Sequence, residues 1–195
     1  MTEISDLSLR RLRLPFSFNM RSTQMSSRRE FDILDKRATL DLRFSASTGK
    51  QFIPFLRKHL PRAHSEICLR QPLALFELSL ALVGDKKMSE LHEQFLNITG
   101  PTDVLTFPLD ADARGRTTAG EIVICVPEAM RQSKSRGVEL RLELLLYALH
   151  GMLHLAGFDD RTNRDFAAMH RTEDAILKRL GFDPVFHHRA RRIDR

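Results

Sequence analysis

The spacing of apolar residues changes along the chain, and each spacing predicts an element. ATLDLRF (38–44) alternates Leu40, Leu42 and Phe44 with Thr39, Asp41 and Arg43, which reads as a strand. Phe52, Phe55, Leu56 and Leu60 then recur at helical spacing. They predict a short helix that stops before Pro61, with Pro54 placed awkwardly inside it. FELSLALVG (76–84) alternates again and ends on Gly84. DKKMSELHEQFLN (85–97) sets Met88, Leu91 and Phe95 on one helical face, with Asp85 as its N-cap. After the turn ITGPTD come two short β-rich runs, DVLTFP (103–108) and GEIVICV (120–126). The loop ADARGRTTA joins them, so they are expected to pair. Pro127 and Gly137 bracket a helix. VELRLELLLYALHGMLHLA (138–156) predicts a long helix buried on most sides and capped by Gly157. A last helix over 163–180 turns Phe166, Met169, Ile176, Leu177 and Leu180 inward and stops at Gly181. A few strands and about five helices in this order predict an α+β fold. It is read as one compact domain over 30–186, a small mixed sheet with its chemistry on a central helix.

Composition changes this picture little. With 42% hydrophobic and 29% charged residues, the chain is an ordinary globular protein. Cys68 and Cys125 form no CxxC pair, which points away from a disulfide framework and toward a reducing, cytoplasmic setting. No apolar run approaches the roughly 18 residues of a membrane span. The N-terminal arginines precede no apolar segment of a secretory signal.

Charge is more informative by location than by sum. The net charge is +6, but residues 1–29 hold six arginines against Glu3 and Asp6, and residues 187–195 hold four against Asp194. Between them, basic and acidic residues nearly cancel. The basic character belongs to a flexible N-terminal extension and a C-terminal tail, which either follow phosphate backbones or are simply solvated.

The chemistry concentrates in HGMLHLAGFDD (150–160). Residues four apart share a helix face, so His150 and His154 can place two imidazoles on one cation. Gly157 lets the chain turn back, bringing Asp160 to the same point, and a carboxylate oxygen is an accepted zinc ligand. Asp159 is either a competing ligand, a brace for the turn or a partner that orients a histidine. Two imidazoles, one carboxylate and an open fourth position describe a catalytic rather than a structural zinc site. In the zinc proteases that carry HExxH, glutamate follows the first histidine as general base, and here that position is Gly151. Glycine there suits close packing against another element and removes the protease base.

HGMLHLAGFDD closely resembles the H-G-x-L-H-L-x-G-[YF]-D-H signature of the YbeY family of endoribonucleases and rRNA maturation factors. GPTDVLTFP (100–108), GEIVIC (120–125) and AAMHRTEDAIL (167–177) resemble further family motifs in the family's order. The resemblance implies a compact α+β domain with one divalent metal, usually zinc, held by His150, His154 and Asp160. It also implies cleavage of single-stranded RNA in small-subunit rRNA 3′-end maturation, with rRNA and the small ribosomal subunit as partners. Two positions depart from the family pattern. Asp160 stands where the family has histidine, which adds a negative charge and favours harder cations such as Mn²⁺. Leu96 stands where the family has a phosphate-facing arginine.

Arg114 and Arg116 are the candidates to supply that cation, or else are solvated loop residues. Thr102 and Asp103 either line the cleft or shape the turn before their strand, and Glu121 either orients a ligand histidine or begins its strand. His92 and His170 have no partner spacing. The rival readings are a metal-containing ribosome assembly factor that does not cut RNA and a metallohydrolase of another substrate.

Overall fold

A computed structural model of the chain describes residues 40–71 and 73–185. The extension expected over 1–29 and the tail over 187–195 lie outside them. The described elements are β1 (Asp41–Ala46), α1 (Ile53–Cys68), β2 (Glu77–Val83), α2 (Asp85–Leu96), β3 (Val104–Ala111), β4 (Thr117–Cys125), α3 (Val126–Arg136), α4 (Leu140–Leu155) and α5 (Asn163–Leu180). A single 3-10 turn, Lys50–Phe52, leads into α1. The fold is α+β and forms one domain around a mixed sheet of order β1-β2-β4-β3. β1, β2 and β4 run parallel, and β3 returns antiparallel along β4 as an edge strand.

Strand alternation divides the interior between the two faces of the sheet. Leu78, Leu80, Leu82, Ile122 and Ile124 join the larger core beneath α1, α4 and α5. Ala81, Val83, Val123 and Cys125 join a smaller core with Met88 and Leu91 of α2. Each fully buried leucine or isoleucine contributes about 1.5–3 kcal/mol relative to exposure. α4 is apolar almost all round because it packs against α1, α3, α5, β3 and β4 together, and eleven of its sixteen residues are buried.

Two glycines set how closely α4 lies on the sheet. A Cβ at Gly120 would meet Leu155 Cδ1 at 2.5 Å, and one at Gly151 would meet Ile122 Cδ1 and Thr106 Oγ1, each at 2.8 Å. The last turns of α4 therefore rest directly on β4 and β3.

The structure corrects four expectations. α1 does not stop before Pro61 but continues to Cys68. Pro61 stands on the solvent side, and the buried stripe Leu56, His59, Leu60, Ala63, His64 and Ile67 carries the packing past it. Pro54 falls in the first helical turn, where no N–H is needed. Asp85 is the first helical residue of α2 rather than its cap, which is Gly84. Its carboxylate instead pairs with Arg131 of α3 at 2.7 Å. Phe166 is 44% exposed and lies edge-on to the His170 ring at 4.0 Å. β3 and β4 pair as expected but extend into the joining loop, leaving only 112–116 as the turn.

α5 has the clearest cap. Thr162 Oγ1 accepts the Asp165 N–H at 3.1 Å and its hydroxyl donates to the Asp165 carboxylate at 2.7 Å. Thr162→Ala is expected to cost about 1 kcal/mol in urea unfolding.

Candidate metal centre

α4 ends beside β3, and its last turns carry both histidines. His150 Nδ1 lies 2.7 Å from Glu173 Oε1, and His154 Nδ1 lies 3.2 Å from the Phe158 carbonyl. Both partners are acceptors, which assigns the ring proton to Nδ1 in each histidine. Both Nε2 atoms then carry lone pairs, yet they face each other at 3.0 Å. Asp160 Oδ2 closes the group, 3.8 Å from His150 Nε2 and 3.9 Å from His154 Nε2. With both imidazoles neutral, three acceptors converge with no donor among them, an arrangement that calls for a cation. A triangle of these sides has a point about 2.1 Å from every corner, within the roughly 2.0–2.2 Å range of zinc–nitrogen and zinc–oxygen bonds. Among the described residues, this is the group of histidine, cysteine and carboxylate donors suited to a metal ion.

The turn that delivers Asp160 is built locally. Gly157 takes φ +87°, a conformation glycine adopts without strain. Asp159 Oδ1 accepts the backbone N–H groups of Asp160 (2.8 Å) and Arg161 (3.2 Å), and its Oδ2 pairs with Arg161 Nε at 2.6 Å. Asp159 therefore braces the turn, and Asp160 faces the histidines.

Glu173 was not singled out from the sequence. Its side chain is fully buried, with Oε1 on His150 and Oε2 2.6 Å from His170 Nδ1. Burial works to raise its pKa, but the hydrogen bonds from His150 and His170 outweigh it and hold Glu173 below the usual glutamate value, as a carboxylate. Burial works to lower the pKa of His150. Its bond to Glu173, aided by Asp160 and Asp103, outweighs burial and leaves it above the usual histidine value. His154 is held below that value, first by burial and then by its neighbour His150. The signal for Glu173 was a carboxylate in register with the apolar stripe of α5, between Met169 and Ile176–Leu177.

A cleft of about 430 Å³ runs along β3 to the histidines, lined at its polar end by Asp103, His150 and His154 and elsewhere by Phe95, Leu96 and Phe107. Asp103 thus lies in the cleft, while its Oδ1 also accepts the Thr102 hydroxyl (3.1 Å) and the Val104 N–H (2.8 Å). Thr102 acts by holding that carboxylate. Leu96 ends α2 at the cleft, 40% exposed.

Glu121 takes neither of the two roles weighed for it: it does not meet a ligand histidine, and β4 already begins at Thr117. It alternates with Gly120 and Ile122, which meet α4, so its side chain leaves the opposite face of the sheet. It is buried there, which raises its pKa, and the carboxylate that meets His150 is Glu173. Arg114 and Arg116 stand in the β3–β4 turn. Arg116 is engaged by Asp112 at 2.6 Å and neighbours Thr117 of the cleft wall, while the Arg114 side chain is exposed.

Fold and site define a small α+β protein with three converging metal-type donors at the end of a cleft. The family model described as Endoribonuclease YbeY matches residues 44–181. An endoribonuclease YbeY of Moorella thermoacetica is 40% identical over 114 residues, covering 54% of this chain and 73% of that protein. One from Kineococcus radiotolerans is 35% identical over 147 residues, covering 68% and 84%. A solution structure from Thermotoga maritima is 27% identical with a TM-score of 0.49, covering 71% of this chain and 90% of that one. The chain belongs to the YbeY family.

Proposed function

We propose that the protein is a metal-dependent endoribonuclease that cuts single-stranded RNA in small-subunit rRNA 3′-end maturation and ribosome biogenesis in the cytoplasm. Membership of a family named for endoribonuclease activity supports the reaction. The observation that carries metal dependence is the convergence of two Nε2 lone pairs and the Asp160 carboxylate on one point. No described helix is long and apolar enough to cross a membrane.

His150, His154 and Asp160 would hold one ion, with zinc the proposed metal and other divalent ions acceptable to the carboxylate. When bound, such an ion supplies Lewis-acid polarisation of a phosphoryl oxygen and activation of water. The rest of the work falls to the chain. Glu173 fixes the His150 ring and keeps its proton on Nδ1, and the Phe158 carbonyl does the same for His154. Asp103 adds negative charge at the polar end of the cleft, where it can accept a proton or orient water. Its apolar wall, including Leu96, excludes water from one side of the substrate. Leu96 also favours a second reading, an assembly factor that binds RNA without cutting it, because an exposed apolar residue stands at the expected arginine position.

The direct test uses the wild-type chain on a small-subunit rRNA 3′ fragment. Cleavage should stop when a chelator strips the ion and return with one equivalent of zinc or manganese. Stoichiometric metal with RNA binding but no cleavage selects the assembly factor. No bound metal and no effect of chelator refutes the proposal.

Two further outcomes follow. Glu173→Gln should lower zinc affinity about 10–100-fold in calorimetric titration while the fold remains. Proton and metal also compete for the Nε2 atoms. His150, whose pKa is raised, is charged at mildly acid pH, whereas His154, whose pKa is lowered, stays neutral longer. Apparent metal affinity should therefore be flat above the raised His150 value. Below it, affinity should fall by about tenfold per pH unit for each proton displaced. A zinc dissociation constant that does not change between pH 8 and pH 5.5 would refute this coupling.

A further inference from the structure

The solvent face of α1 carries Arg57, Lys58 and Arg62, all exposed, with exposed Lys50 in the turn that precedes the helix. The helix has no carboxylate before Glu66, and Glu66 is taken up by Arg70 and Arg179. Among the described residues, none of these four cations is in an ion pair. Arg43, Arg70, Arg116, Arg131, Arg141, Arg161 and Arg179 all are, while Lys86, Arg114, Lys134, Arg164, Arg171 and Lys178 are also in none and are divided between α2, the β3–β4 turn, α3 and α5. Lys58 and Arg62 are four apart on one helix face, a like-charge spacing that weakens a free helix. The Arg57 guanidinium lies over the Phe44 ring at 4.7 Å, which fixes its position without neutralising its charge. The His59 pKa reports the same field: it is lowered first by burial and then by Lys58, Arg62 and Arg141.

Position separates this face from the cleft. No α1 residue lines the cleft, which follows β3, whereas Arg57 sits over β1. β1 and β3 are opposite edges of the four-stranded sheet, roughly 14 Å apart at the usual strand spacing. Phe182 packs on Phe55 and His59, so the described chain ends beside α1.

We infer that the basic face of α1 is a second contact surface, binding RNA backbone phosphates outside the cleft and anchoring substrates long enough to reach it. This rests on the endoribonuclease reading. A positioned array of unpaired cations fits a polyanion of repeating charge, and its contribution carries no sequence preference.

The test compares the full chain with Arg57→Glu/Lys58→Glu/Arg62→Glu on a trinucleotide and on a long single-stranded rRNA fragment. Affinity for the long RNA should fall at least about tenfold. The slope of log affinity against log salt should flatten by about 2 units, from three contacts at about 0.7 each. Trinucleotide cleavage should be unchanged, and the melting temperature should fall by no more than about 4 °C, from loss of the Arg57–Phe44 contact. The triple glutamine variant should show the same pattern with a smaller loss. An equal loss on both substrates would assign the effect to the cleft, and no loss on the long RNA would leave the face without a role in RNA binding. Either result overturns the inference while the endoribonuclease reading stands. A wild-type chain that neither binds nor cuts RNA of either length overturns both.

Discussion

Alanine at position 154 is expected to leave the protein folded and without its metal. The His154 side chain is about 30% exposed, so its loss opens little cavity, and its hydrogen bond is to the Phe158 carbonyl in the turn that follows its own helix. Its Nε2 is nevertheless one of three converging donors. Loss of an outer partner to a ligand histidine typically costs 10–100-fold in affinity, so loss of the ligand itself should cost more than about 100-fold. Metal content after gel filtration should fall from one ion per chain to near zero. Cleavage of the rRNA fragment should fall to background, and the melting temperature of the metal-free proteins should agree. A variant that keeps one ion per chain removes His154 from the site.

Glutamate at position 151 rebuilds the HExxH pattern on paper and is expected to damage the fold instead. Gly151 is buried where α4 crosses β3 and β4, and a Cβ there already lies 2.8 Å from Ile122 Cδ1 and Thr106 Oγ1. Gly151→Ala should cost about 1–3 kcal/mol through overpacking. Gly151→Glu should cost more, because it adds a longer side chain and buries a carboxylate without a partner. At about 2–4 °C per kcal/mol for a domain of this size, thermal melting reads both effects. An alanine variant that melts with the wild type would show that the helix is free to lift from the sheet.

Gly151 also illustrates what the sequence revealed. Its lack of a side chain signalled close packing, but not that Thr106 and Ile122 would be the neighbours, because strand order is a long-range property. Periodicity placed α5 near its observed bounds, since the apolar repeat is regular and Gly181 is a strong local stop. It cut α1 short at Pro61, because a proline's local penalty is visible in sequence and the buried stripe that overrides it is not. At the site, the i, i+4 histidines and the glycine turn were legible because they lie within eleven residues of one another. Glu173 lies 23 residues beyond His150 and reaches it only because α5 packs on α4. Glu121 was weighed as a partner for a ligand histidine, but strand alternation sends it to the other face of the sheet.

The proposed catalytic ion is shared by His150, His154 and Asp160. Anomalous scattering at the zinc edge, from crystals of cleavage-competent protein, tests it most directly. A single peak is expected, with His150 Nε2, His154 Nε2 and an Asp160 oxygen each about 2.0–2.2 Å away. No peak at that point, or a peak held by other residues, in protein that still cuts RNA would contradict it.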